Sequence, residues 1–253
     1  MFTLPVFEKD CVVNSAFLSK KPIPAKERLI FALDVSTVQE AEQIVETLGD
    51  SVVFYKLGLQ IFMAGGYYEL ITWLRQQQKQ VLVDLKFFDV PETVKAAVSQ
   101  LKDSGAKFAT VHGNENMLKA ANETKNGLKI LAVTVLTSLD RDDIEALGFQ
   151  CDVETLVLSR ARRALAIGCD GVISSGLEAK KLRTDLGENF LIVSPGIRPV
   201  DNKLVDDQKR TVDVEEAFLN GADYIVIGRP IRNASDPKRK AQEIQARIAR
   251  LFA

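Results

Sequence analysis

The sequence predicts a single-domain α/β protein, a (β/α)8 barrel over residues 29–253 preceded by an N-terminal extension over 1–28. Three observations carry that expectation. Eight short, β-rich apolar runs alternate with longer amphipathic stretches from residue 29 onward. The runs are apolar almost throughout rather than alternating, as strands are when helices cover a parallel sheet. The first run leads into LDVSTVQE, without the glycine-rich turn that a doubly wound dinucleotide-binding sheet, the alternative architecture, carries at that point.

Taken in order, the first strand is expected over LIFALDV (29–35), with the helical pattern VQEAEQIVETLG behind it and Gly49 as its C-cap. Strands two to five are VVFYKLG (52–58), QVLVDLK (80–86), KFATVH (107–112) and KILAVTVL (129–136). The helix VETLVLSRARRALAIG ends at Gly168 and leads to GVIS (171–174), followed by FLIVSP (190–195). VEEAFLNG, closed by Gly221, precedes the last strand, YIVIG (224–228). The final helix, PKRKAQEIQARIARLF, sets Ala241, Ile244, Ile248 and Leu251 on one stripe that packs against the barrel.

The bulk numbers exclude several classes. Of 253 residues, 46% are hydrophobic, and 33 basic against 34 acidic side chains leave a net charge of −1. No dense basic run offers the footprint that nucleic acid requires. Cys11, Cys151 and Cys169 are odd in number and far apart, which argues against a disulfide framework or a zinc site and for reduced thiols in a cytoplasmic protein. The first 24 residues are interrupted by Glu8, Lys9 and Asp10, so neither a signal peptide nor a membrane span fits. Pro22 and Pro24 mark the entry into the barrel.

A barrel places chemistry at the carboxyl ends of its strands, so polar residues closing apolar runs are the candidates. Strand one ends in Asp34, strand two carries Lys56, and strand three carries Asp84 and Lys86. Side chains alternate along a strand, so Asp84 and Lys86 point the same way and Leu85 the other. All four charges are expected at one rim. Asp89 follows in a loop, placed either to fold back on that cluster or to cross a subunit boundary. Structural ion pairs explain four such charges poorly, because desolvation opposes burying them. Farther on, SPGIRP (194–199) leaves strand seven, and Gly228 and Arg229 close strand eight, where a bare backbone and a planar guanidinium suit phosphate.

These residues resemble the orotidine 5′-phosphate decarboxylase family from about residue 29 to the end of the chain. The matching segments are FALDV, FYKLG, VDLKFFDVPETV, VTVLTS, VSPGIRP, the Asp207–Gln208 pair and YIVIGRPI. The resemblance implies decarboxylation of orotidine 5′-monophosphate to uridine 5′-monophosphate in pyrimidine biosynthesis, with neither metal nor organic cofactor. It implies a catalytic set of Lys56, Asp84, Lys86 and Asp89, the last supplied by the partner in a homodimer. Asp84 would sit beside the substrate carboxylate and Lys86 would donate the replacing proton. Asp34 and Lys56 would hold ribose hydroxyls, and Thr137 and Pro195 would line the base pocket. Gln208, Gly228 and Arg229 would grip phosphate under a closing loop over 197–210, with Thr93 and Arg198 as further substrate contacts. His112, the sole histidine, is expected to have a positioning or structural role; the NENMLKAA that follows departs from the family's glycine-rich continuation. Two other functions stand beside this one: a metal-dependent sugar-phosphate decarboxylase or aldolase, which would put an acidic ligand where Lys56 stands, and a non-catalytic nucleotide-binding barrel.

Overall fold

A computed structural model describes residues 16–199 and 210–253. Eight strands, β1 (Leu29–Ala32), β2 (Phe54–Gly58), β3 (Gln80–Phe87), β4 (Phe108–Val111), β5 (Lys129–Val133), β6 (Gly171–Ile173), β7 (Leu191–Ser194) and β8 (Tyr224–Ile227), pair in parallel and in sequence order. β8 returns to β1, with Leu29 opposite Ile225, and closes the barrel. The eight-strand expectation holds, and each strand overlaps its expected run.

Eleven α-helices lie among the described residues: α1 (Val38–Leu48), α2 (Leu59–Met63), α3 (Tyr67–Gln76), α4 (Pro91–Ser99), α5 (Glu115–Thr124), α6 (Arg141–Ala146), α7 (Val153–Ala166), α8 (Ala179–Leu186), α9 (Val214–Leu219), α10 (Arg229–Arg232) and α11 (Pro237–Leu251). Their starts follow from local chemistry. Thr37, Asp152 and Asp236 each accept a backbone N–H of the first turn of α1, α7 and α11, and Pro91 and Pro237 stand at first-turn positions that need no donor. α11 buries Ala241, Ile244 and Ile248, with Leu251 partly buried against the same core.

Near-continuous apolar strands feed two separate cores. Leu29, Phe31, Tyr55, Leu57, Val81 and Val83 face outward and pack with the helices. Ile30, Ala32, Phe54, Leu82, Phe108, Leu131, Val193, Tyr224 and Val226 fill the barrel interior. Near the amino ends of the strands Phe54, Phe108 and Tyr224 form an aromatic plug with ring centroids 5.3–5.8 Å apart. Lys107 lies over these rings while donating to Glu27 and Gln80.

That same end is tied by residues 19–28. Asp223, fully buried, accepts hydrogen bonds from Ser19, Lys21, Arg183 and the Ile192 backbone N–H. Arg28, 1% exposed, donates to the backbone oxygens of Asp223 and Lys21 and stacks 3.7 Å from the Phe252 ring centroid. Cys151 and Cys169 are free thiols, and Cys11 lies outside the described residues. No helix among the described residues is long and apolar enough to cross a membrane.

Candidate active site

The interior parity of each strand, carried one step toward its carboxyl end, leads from hydrocarbon to charge. Ala32 is followed by Asp34, Phe54 by Lys56, Leu82 by Asp84 and Phe108 by Thr110. The structure gathers Asp34, Lys56, Asp84 and Lys86 into one chain of contacts. Lys56 Nζ lies 2.9 Å from Asp34 Oδ1 and 3.4 Å from Asp84 Oδ2, and Lys86 Nζ lies 2.9 Å from Asp84 Oδ1. Acid and base alternate, so each inner charge has two opposite neighbours.

Burial works against both inner charges and is overcome. It pulls the Lys56 ammonium down, but Asp84 and Asp34 outweigh it and hold the group above the ordinary lysine range. Burial pushes the Asp84 carboxyl up, and Lys56, Lys86 and the Thr110 hydroxyl bring it below the ordinary carboxylate range. Both groups are therefore ionised at neutral pH. Gly58 makes room for the pair: a Cβ there would sit 3.0 Å from both Asp34 Oδ1 and Lys56 Nζ. Arg232 donates to the backbone oxygen of Asp34 and steadies the rim from α10.

Simple strand alternation stops at Lys86. The β3–β4 register shifts between Val83 and Phe87, and Lys86 takes a left-handed backbone with φ of 48°. Its backbone N–H, turned out of the ladder, donates to Thr110 Oγ1 at 2.9 Å. Thr110 was not among the sequence candidates. The signal was the parity itself, since it is the inward polar residue following Phe108.

The charged chain opens on a cavity of about 520 Å³ at the carboxyl-terminal mouth. Thr137, Pro195, Arg198, Gly228, Arg229 and Arg232 line its other walls. Three of the residues singled out lie outside this cavity. Thr93 is exposed on α4 and lines no part of this cavity, because the short turn after β3 carries the start of α4 outside the mouth. Asp89 does not fold back on the cluster: it is exposed and accepts from its neighbour Val90 N–H at 2.6 Å. His112 sits edge-on to Phe88, with centroids 5.5 Å apart, in a second cavity of about 820 Å³ outside the barrel that also holds Arg160. Burial, then Arg160 and Lys86, keep the His112 imidazole below its ordinary value. Gln208 and most of the expected closing loop lie outside the described residues. Among the described residues no group of three or more His, Cys, Asp or Glu side chains is placed to hold a metal ion.

What fold and site define at this level is a class, a (β/α)8-barrel enzyme with its chemistry at the carboxyl-terminal mouth. A sequence model of the Orotidine 5′-phosphate decarboxylase / HUMPS family matches residues 27–244. The orotidine 5′-phosphate decarboxylase of Methylococcus capsulatus (strain ATCC 33009 / NCIMB 11132 / Bath) is 61% identical over 237 residues, covering 94% of this chain and 98% of that protein. The enzyme of that name from Xanthomonas axonopodis pv. citri (strain 306) is 48% identical, covering 91% of this chain and 96% of its own length. Among solved structures, the orotidine 5′-phosphate decarboxylase of Lactobacillus acidophilus superposes with a TM-score of 0.78 at 36% identity, over 88% of this chain and 99% of its own. The chain belongs to the orotidine 5′-phosphate decarboxylase / HUMPS family.

Proposed function

We propose that this chain is a cytoplasmic carboxy-lyase that converts orotidine 5′-monophosphate to uridine 5′-monophosphate and carbon dioxide in de novo pyrimidine biosynthesis, using neither metal nor organic cofactor. The observation that carries the proposal is the alternating Asp34–Lys56–Asp84–Lys86 chain on a cavity that Gly228 and Arg229 also line. Arg229 and the Gly228 backbone take the phosphate, assisted by Arg198 and Gln208. Thr137 and Pro195 border the base, and Asp34 and Lys56 hold ribose hydroxyls. The substrate carboxylate then lies beside Asp84.

The bond between the ring carbon and the carboxylate breaks, carbon dioxide leaves, and the electron pair stays on the ring carbon. The Lys86 ammonium stabilises that pair and then transfers a proton to it, and the neutral amine recovers a proton from water. At an effective dielectric near 20 and about 4 Å, one ammonium contributes on the order of 4 kcal/mol, or about a thousandfold in rate. The remaining acceleration comes from preorganised charges and from binding energy at the distant phosphate. Lys56 stands where a metal-dependent relative would need an acidic ligand, and its charge repels a divalent cation.

Asp89 is assigned to the neighbouring site of a homodimer, with Thr93 close behind it on α4. Phe88 and Val90, which flank Asp89, are 65% and 62% exposed, an apolar setting suited to burial against a second copy. An ultraviolet assay of orotidine 5′-monophosphate consumption, run with and without EDTA, tests the function. Equal activity in both arms is expected. Loss of activity in EDTA would point to the metal-dependent class, and inactivity in both arms would point to a binding barrel.

A further inference from the structure

Thr110 is fully buried within β4, and its side chain faces the charged chain. Its Oγ1 lies 2.9 Å from Asp84 Oδ1 and 2.9 Å from the Lys86 backbone nitrogen. The direction of both bonds is forced. An ionised carboxylate only accepts and a backbone N–H only donates, so the hydroxyl gives its proton to Asp84 and receives that of Lys86. Asp84 Oδ1 is the same oxygen that Lys86 Nζ touches at 2.9 Å. One hydroxyl thus holds both the backbone from which Lys86 extends and the carboxylate at which its ammonium ends.

Lys86 needs such a hold. Its φ of 48° is a conformation that side-chain-bearing residues rarely adopt, and it falls where the β3–β4 register shifts. The Thr110 hydroxyl stands in for the acceptor that a regular ladder would have offered there. Without it, the Lys86 N–H is left unpaired in a half-buried setting and the strained turn loses its tether. Gly228 and Arg229, proposed to take the phosphate, stand at α10 beside β1 rather than on β4, so the loss falls on the reacting geometry.

Resting on the decarboxylation proposed above, we infer that Thr110 is a positioning residue, whose hydroxyl fixes Lys86 and Asp84 relative to one another so that Nζ is presented to the reacting carbon. The wild-type chain is first assayed with orotidine 5′-monophosphate; if it is inactive, the functional proposal fails, and the present one with it. With wild type active, Thr110→Val, which keeps the shape and removes the hydroxyl, and Thr110→Ala are each compared with Thr110→Ser. Both hydroxyl-free variants are expected to lose about tenfold to a hundredfold in kcat with KM within about threefold, and serine to recover kcat to within about fivefold of wild type. If the valine variant does not fold, the alanine variant carries the comparison. Three outcomes overturn the inference: hydroxyl-free variants within about twofold of wild type in kcat, a serine variant as impaired as they are, or a loss confined to thermal stability or KM.

Discussion

Asp84 carries three donors in the folded chain, with Lys56 on one oxygen and Lys86 and Thr110 on the other. Its carboxyl is therefore held below its unfolded value, and linkage fixes the sign of the consequence. Asp84 contributes stability above the unfolded carboxyl value, about pH 4, and that contribution is lost as pH falls through the depressed folded value. Lys56, held above its ordinary value, contributes below about pH 10.4 and loses that contribution as pH rises through its folded value. Denaturant midpoints measured from pH 7 downward are expected to fall more steeply for wild type than for Asp84→Asn, with the two curves drawing together below about pH 4. Parallel curves would mean that folding does not depress the Asp84 carboxyl. The same three donors explain what a linear reading of β3 leaves out. Residue types and strand parity disclose Asp34, Lys56 and Asp84, whereas the left-handed turn at Lys86 arises from a cross-strand bond to Thr110, 24 residues away.

At the scale of elements, the rest of the cavity lining is held by two short pieces of chain. Gly228 and Arg229 begin α10, and a Cβ at Gly228 would come within 3.1 Å of Ala32 Cβ, so that turn lies tight against β1. Arg229→Ala removes a forked donor from the proposed phosphate site without touching the core. It is expected to lower kcat/KM by about 10²- to 10⁴-fold with the thermal midpoint little changed; unchanged kcat/KM would remove Arg229 from the site. The second piece is a neck. Ile197 bridges Val212, and the Arg210 guanidinium, 9% exposed, donates to Glu178 and to the backbone oxygens of Val135 and Leu136. Arg210→Met strands Glu178 and two carbonyls and is expected to cost about 3–5 kcal/mol by chemical denaturation, with Arg210→Met/Glu178→Met recovering part of it. Full additivity of the two changes would show that the pair does not interact. These pieces also mark how far elements are legible in the sequence. All eight strands are visible as apolar runs, yet β1 and β5 stop at Ala32 and Val133, short of the expected 35 and 136. Beyond those ends Asp34, Val135 and Leu136 line the cavity, and composition does not register that change of role. Short helices such as α2, α6 and α10 give too few residues for a period to emerge. Neither the exposure of Thr93 and Asp89 nor the neck contact of Arg210 follows from local pattern, since each depends on where distant segments meet.

At the scale of the whole molecule, the proposed homodimer makes each site depend on two chains. Lys86→Ala and Asp89→Ala are each expected to be nearly inactive alone. Mixed under conditions that allow subunit exchange, they are expected to recover about a quarter of wild-type activity, because half of the dimers are then mixed and each mixed dimer holds one intact site. No recovery despite proven exchange would place Asp89 in its own chain's chemistry or outside it altogether. Within one chain, the knot that ties residues 19–28 and the charged chain occupy opposite ends of the barrel. Asp223 knots residues 19–28 to β7 and to Arg183 at the amino ends of the strands, while the charged chain sits at their carboxyl ends. Asp223→Ala is expected to cost about 3–5 kcal/mol of folding free energy and to leave kcat of the folded enzyme unaltered. The barrel between them is filled with hydrocarbon and aromatic rings, which offer no charge or hydrogen bond through which one end could sense the other. A thermodynamic cycle pairing Asp223→Ala with Arg229→Ala therefore has a cross-term of zero to within about 0.5 kcal/mol. An engineer can harden the floor of this enzyme and retune its doorway as two unconnected problems.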